Sequence, residues 1–224
     1  MRMFADRVRA GKALAAELER FLRHHESEGR PLVLALPRGG VPVAVQVADA
    51  LGADLDVVVA RKIGMPGHPE YGIGAVTPNG PAIFHQGALT LAGLREEDLV
   101  GEVEAERSEA RRRLRAYRHD RPPPRITGRI VILVDDGLAT GATAVAALRQ
   151  IRAQHPAQLI FAAPVCARDG AEALRTEADA VICAERPEEF WAVGRWYEDF
   201  RQTSDEEVEE ILARQRVHVG RDSP

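Results

Sequence analysis

The residues best equipped for chemistry lie in one run, Val131–Thr143, with the sequence VILVDDGLATGAT. Two adjacent carboxylates, Asp135 and Asp136, close a stretch of β-formers. A loop of glycines and hydroxyls follows, and then the alanine-rich stretch AVAALRQIRA. A short apolar run ended by turn residues reads as a buried strand, and the stretch after the loop has helical spacing. A helix begins with unpaired backbone N–H groups and the positive end of its dipole. Gly137, Leu138, Ala139, Thr140, Gly141, Ala142 and Thr143 can therefore wrap amides and hydroxyls around a phosphate. Asp135 and Asp136, at the carboxyl end of the strand, can accept hydrogen bonds from a sugar diol. Phosphate donors and diol acceptors a few residues apart describe a site for a ribose 5-phosphate. A plain helix cap with solvated aspartates would account for one Asp and one Thr, but not for the whole string.

Such residues need a frame. Apolar runs at 32–36 (LVLAL), 55–60 (LDVVVA), 130–134 (IVILV), 159–165 (LIFAAPV) and 180–184 (AVICA) read as buried strands. Helical patterns separate them. One covers 5–28, with Val8, Leu14, Leu18, Phe21 and Leu22 as its apolar stripe; another covers VAVQVADAL, and a long charged one spans 95–119. Residues 73–76 and 82–85 flank a Pro-Asn-Gly turn and predict a hairpin. A capping box, Ser204 with Glu207, opens a last helix over 204–215. Strand–helix–strand alternation predicts an α/β fold with a doubly wound, mostly parallel sheet, whose ligands bind at the carboxyl ends of the strands. The loop Pro37-Arg38-Gly39-Gly40 falls at one such end. Its glycines let backbone approach an anion, and Arg38 can add a charge-assisted contact.

The whole chain excludes several classes. Its 224 residues carry a net charge of −4, which gives no global footprint for nucleic acid. The long helix holds Arg107, Arg111, Arg112, Arg113, Arg115 and Arg118, but Glu102, Glu104 and Glu106 precede them and Glu109 lies among them. Glu109 and Arg113 have the favourable i,i+4 order, and Val103, Ala110, Leu114 and Tyr117 supply an apolar face. A solvated packing helix is the reading preferred over a nucleic-acid contact. No run approaches the ~18 apolar residues of a membrane span, and the charged start lacks the apolar core of a signal peptide. A cytoplasmic location is expected, with Cys166 and Cys183 as buried free thiols. No HExxH or GxSxG string is present, and the adjacent His24 and His25 do not face each other on a helix. Only two of the thirty basic residues are lysines, Lys12 and Lys62.

The run Val131–Thr143 resembles the signature of the type I phosphoribosyltransferases, which bind 5-phosphoribosyl-1-pyrophosphate (PRPP). That signature is a hydrophobic strand, two acidic residues, two variable residues, then a small or acidic residue, Thr, Gly, and Thr or Ser two positions on. It is not a Walker A loop, and the spacing of Gly137 and Gly141 is not that of a dinucleotide fingerprint. The resemblance covers Leu32–Val165, and Phe190–Arg201 (FWAVGRWYEDFR) is similar to the hood of purine-type members. It implies one domain over 1–224, with a core at 30–185, a lid and hairpin at 63–86, a hood at 185–203 and the final helix. It also implies a Mg²⁺-dependent transferase in nucleotide salvage, working as a homodimer on PRPP and a nucleobase. Asp135 and Asp136 would grip the ribose hydroxyls and, with Asp199, help to hold the metal. Arg38, Gly39, Gly40 and Lys62 would hold pyrophosphate, with a strained cis peptide near Arg38-Gly39. Trp191 would stack on the base, with Glu198 or Asp199 near the metal.

The chain departs from the family pattern at two places. Ala139 stands where many 6-oxopurine enzymes carry Asp, and the lid Ile63–Gly74 has no lysine, only His68, Glu70 and Tyr71 as polar candidates. The hood points to purines and Ala139 to adenine, orotate or uracil, so the acceptor stays open. The competing reading is a regulatory protein of the same fold that senses PRPP or a nucleotide and binds RNA.

Overall fold

Strands with almost no polar residue are stable only where both of their faces are covered. The computed structural model, which describes residues 3–23, 29–119 and 121–219, meets that demand with helices on both sides of a parallel sheet. In chain order the elements are α1 (Arg7–Leu22), β1 (Leu32–Ala35), α2 (Gly40–Leu51), β2 (Asp54–Val57), β3 (Arg61–Met65), β4 (His68–Val76) and β5 (Ile83–Phe84). Then follow α3 (Gln86–Ala92), α4 (Val100–Arg118), β6 (Ile130–Val134), α5 (Ala142–Arg152), β7 (Gln158–Val165), α6 (Arg168–Ala173), β8 (Ala180–Glu185) and α7 (Asp205–Val219). Five strands pair in parallel in the order β2-β1-β6-β7-β8, which is the doubly wound α/β sheet expected. Alternate residues of each strand serve opposite cores. Val33, Ala35, Ile132 and Val134 pack with α1, α2, α4 and α7, while Leu32, Leu34, Val131 and Leu133 meet α5 and α6.

The strand order reverses between β1 and β6. Ala35 lies opposite Val134, and the amide of Leu36 donates to the Val134 carbonyl at 2.8 Å. The loops after these two strands therefore leave the sheet side by side, in the crevice where doubly wound sheets bind ligands.

Several boundaries differ from expectation, for identifiable reasons. The described part of the first helix ends at Leu22, and His24 and His25 lie outside the described residues. Val8 is 40% exposed, and Gly11 joins Leu14 and Leu18 in the buried face instead. A Cβ on Gly11 would lie 2.8 Å from the Val43 carbonyl oxygen, so α1 and α2 pack closer than an aliphatic stripe would allow. The 55–60 strand begins and ends earlier, at Asp54–Val57. The segment expected as a lid is largely strand: β3 and β4 pair antiparallel, and β5 adds the expected hairpin. Ile63, Ile73, Val76, Leu89 and Leu99 give this small sheet its own core. α3 and α6 have 7 and 6 residues, too short to show a helical period. Among the described residues no helix is long and apolar enough to cross a membrane.

Cys166 and Cys183 are not free thiols. They form a disulfide between the residue just after β7 and a residue within the adjacent β8, with their Cα atoms 6.1 Å apart. Neighbouring strands in this register bring them within reach, and that pairing is not visible along the sequence. The bridge closes a separation of 17 residues, for which chain entropy gives about 3 kcal/mol. Reductant should lower the thermal unfolding midpoint of the wild type and leave a Cys166→Ser, Cys183→Ser double variant unmoved. Equal midpoints in all four measurements would remove the bridge from the stability of the protein.

The arginines of α4 bond to the protein itself. Arg107 donates to the carbonyls of Thr77 (3.1 Å) and Gly80 (2.6 Å), and Arg111 to that of Pro78 (3.2 Å). Arg118 holds the buried Asp56 at 3.1 Å and the Val57 carbonyl at 2.9 Å. Glu109 takes Arg112 at 2.7 Å and Arg113 at 2.8 Å, and the Arg112 bond leads in holding its carboxyl down at about 2. A lowered folded-state pKa stabilises the fold above the unfolded value and loses that effect as pH falls. Glu109→Gln should therefore cost below ~1 kcal/mol at pH 7, since the pair is partly solvated. In urea unfolding the difference should fade as pH falls from 4.5 to about 2. A difference constant across that range would refute the assignment.

Candidate active site

The two carboxylates sit at the end of β6, against the loop that follows β1. The amide of Asp136 donates to Asp135 Oδ1 at 2.8 Å, and the Asp135 amide to the Ala162 carbonyl at 3.2 Å. A Cβ on Gly39 would fall 2.0 Å from Asp136 Oδ2, and one on Gly40 would fall 2.7 Å from the Val134 carbonyl oxygen. The paired glycines thus exist because any side chain there would strike the acid pair. Burial, reinforced by the neighbouring Asp136, pushes Asp135 well above the ordinary carboxylate range. Burial also raises Asp136, with the Arg7 guanidinium pulling against it.

The following loop is anchored and then opens. The Leu138 amide donates to the Val165 carbonyl at 2.9 Å, and the Leu138 carbonyl accepts from Ala167 at 2.7 Å. Ala139 and Thr140 are exposed, and Gly141, with φ of 81°, turns the chain into α5. The amides of Ala139 through Ala144 meet no backbone or side-chain acceptor among the described residues, as expected of an N-terminal helix turn. These donors lie a few residues along the chain from the acids.

The other expected residues are placed as follows. The cis peptide is Pro37-Arg38, one residue earlier than expected. The Arg38 guanidinium lies 3.7 Å from Asp205 at the start of α7, which also receives the Tyr117 hydroxyl and Arg112. Lys62, exposed on β3, donates to the Glu70 carbonyl at 2.9 Å within its own hairpin. Trp191 is 77% exposed, with Arg195 at 5.8 Å from its ring, whereas Trp196 and Tyr197 are buried with Phe4. Asp199 is exposed and accepts the Arg201 amide at 3.0 Å. The structure therefore brings together Asp135, Asp136, Gly39, Gly40 and the loop Gly137–Thr143. It keeps Arg38 with Asp205, Lys62 on the hairpin, and Trp191 and Asp199 at the surface.

Sequence reasoning singled out Phe190–Arg201 but missed Phe4 and Arg7, which tie that segment to the acid pair. Phe4 pairs with Tyr197, and the amides of Glu198 and Asp199 donate to the carbonyls of Phe4 and Ala5, both at 2.9 Å. Arg7 reaches Asp136 Oδ2 with Nε at 2.8 Å and Nη2 at 2.8 Å. The Tyr197 hydroxyl donates to the Asp136 carbonyl at 2.6 Å. Val193 packs so closely over Gly137 that a Cβ there would lie 2.3 Å from its side chain. No motif marks Phe4 or Arg7.

The chain belongs to the phosphoribosyl transferase domain family, whose model matches residues 5–200. Two Mycobacterium tuberculosis relatives, each named "Putative phosphoribosyl transferase", are 39% identical over 214 residues. The match takes in 96% of this chain and 47% of each relative, so the chain spans about half the length of the curated relatives it matches. The crystal structure of TT1426 from Thermus thermophilus is 41% identical, with a TM-score of 0.77 and coverage of 96% of this chain and 99% of that one. AQ2163 from Aquifex aeolicus shares the fold at 13% identity, with a TM-score of 0.52 over 84% of this chain and 78% of its own.

The steric role of Gly39 is testable without a ligand. Gly39→Ala forces a methyl group onto Asp136 and should cost about 1–3 kcal/mol in urea unfolding, as overpacking does. Gly87→Ala, at a position with nothing within 4 Å, should cost nothing. Equal stabilities for the two variants would show that the loop yields freely.

Proposed function

We propose that this chain transfers the 5-phosphoribosyl group of PRPP to a ring nitrogen of a nucleobase and releases pyrophosphate. The observation that carries this reading is the meeting of an acid pair and a helix-terminal amide cradle at the switch point of the sheet, beside Gly39 and Gly40. The amides and hydroxyls of Ala139–Thr143 hold the 5-phosphate. Asp135 and Asp136 accept the 2′- and 3′-hydroxyls and place negative charge beside C1, where positive charge grows as the bond to pyrophosphate breaks. The acceptor nitrogen forms the new bond to C1, pyrophosphate leaves with the electron pair, and the acceptor releases a proton. Backbone at Arg38-Gly39-Gly40 faces the departing pyrophosphate, with Arg38 and Lys62 as its cations. Most of the rate enhancement is positioning and fixed electrostatics.

The donor set suits Mg²⁺. That ion takes one or two carboxylates and fills its shell with substrate oxygens and water. Asp135 and Asp136 supply the carboxylates, with Asp199 as a more distant candidate, and no group of three or more His, Cys, Asp or Glu among the described residues could hold a metal. A metal held there would neutralise charge on pyrophosphate. In the same proposal the β3–β5 sheet serves as the lid and residues 185–203 as the hood, with Trp191 presenting its ring to the base. One domain over 1–224, a homodimer, and a role in salvage within the cytoplasm complete it.

The test is to incubate the protein with PRPP, Mg²⁺ and each of a panel of purine and pyrimidine bases, and to measure pyrophosphate. Base-dependent release that Asp135→Asn abolishes is the expected result and names the acceptor. Saturable PRPP binding without release for any base would favour a PRPP-sensing regulator. No PRPP binding would overturn the proposal.

A further inference from the structure

One contact at the site runs against local helix physics. Arg7 is the first residue of α1, where the positive end of the helix dipole disfavours a cation; the N-cap Asp6 offsets part of this, its carboxylate accepting from the Arg9 amide at 2.7 Å, but no acid stands among the first-turn residues themselves. Solvation does not explain the placement, because the Arg7 side chain is only 10% exposed. Its guanidinium is instead engaged on every side. Nε and Nη2 both reach Asp136 Oδ2 at 2.8 Å, Nη1 donates to the Arg201 carbonyl at 2.8 Å, and Cζ lies 4.1 Å from the centre of the Phe200 ring. Positions where a local rule is broken and the tertiary structure compensates are where function is to be sought.

The two aspartates are held differently. The Asp135 side chain is bonded within the motif itself, to the next amide. Asp136 is held from outside, its carboxylate by Arg7 and its carbonyl by the Tyr197 hydroxyl at 2.6 Å. A charge-assisted contact to one oxygen, with the guanidinium itself fixed by a carbonyl and a ring, leaves that carboxylate one orientation.

We propose that Arg7 is a positioning residue for PRPP. It holds Asp136 by Oδ2 so that Oδ1 meets the ribose diol, and it ties that carboxylate to the Tyr197–Arg201 segment facing the acceptor. The inference rests on the PRPP reading given above. Arg7 touches no reacting atom; it acts through Asp136.

The experiment measures dissociation constants in Mg²⁺ for PRPP and for inorganic pyrophosphate, which has no diol, with wild type, Arg7→Gln and Arg7→Lys, and thermal midpoints for all three. Arg7→Gln should weaken PRPP about 10- to 100-fold, as loss of a group that orients a ligand-binding side chain does. Pyrophosphate should bind unchanged, and Arg7→Lys, which keeps the charge, should recover part of the loss. Should Arg7→Gln fail to fold, Phe200→Leu removes the supporting ring and should weaken PRPP in the same selective way. Wild type that binds PRPP together with variants that bind it equally well would overturn the role of Arg7 alone. Tighter PRPP binding by Arg7→Gln would also overturn it, making Arg7 a competitor of the diol. Parallel loss of both ligands with a lowered midpoint would reduce Arg7 to a structural contact. Wild type that binds no PRPP would bring down the reading beneath.

Discussion

Two like charges side by side at the end of a buried strand are costly, and the surroundings of Asp135 and Asp136 are shaped by that cost. A carboxylate withdrawn from water has to find hydrogen bonds and a counter-charge, or give up its ionisation. Here the counter-charge comes from α1, a hydrogen bond comes from the motif's own backbone, and space comes from two residues without side chains. Each is a concession by a different part of the chain. The loop after β1 gives up side chains, the first helix begins with a cation, and the residues around Tyr197 are drawn in to support it. The acid pair thus organises the end of the sheet as much as the sheet presents the acid pair.

The sheet does the rest by topology. Parallel strands that reverse their order at β1 and β6 leave a crevice that neither helix layer fills, and two loops must share it. One loop ends in glycines and the other begins with acids and ends in a helix turn. Their adjacency follows from the register of Ala35 on Val134 and needs no further interaction to specify it.

What could be read from the sequence divides along the same line. The five parallel strands were readable because both faces are covered, so composition alone marks them. The motif loop was readable because strand, acids, turn and helix follow one another without interruption. Arg7 was not readable: its partner is 129 positions away, and an arginine in an amphipathic helix carries no sign of which carboxylate it meets. The disulfide was hidden for a similar reason, since the pairing of β7 with β8 decides it. Arg38 has a neighbour that the sequence does not mark. Its neighbours suggested an anion, yet a carboxylate on α7, 167 positions on and outside the matched motif, lies within reach of its side chain. The β3–β4 pairing was missed because glycine and proline suggested a loose segment where the small sheet has a core of its own.

The bonds from α4 to the turn at 77–80 and to the end of β2 have a mechanical meaning. Arg107 and Arg111 grip the turn of the small sheet, Arg61 meets Glu106 at 2.7 Å, and Arg118 grips the main sheet through Asp56. The helix is therefore a strut, and the small sheet is bolted at its base. Opening it as a whole would break several charge-assisted bonds and split a packed core at once, which places such excursions high on the ladder of local unfolding. The exposed hairpin tip from Gly67 to Gly72 has no such attachments to α4, and Lys62 is fastened to it through Glu70. Travel on this side of the crevice is thus a matter of a short arm bending at its far end, with the one lysine of the region carried along by it.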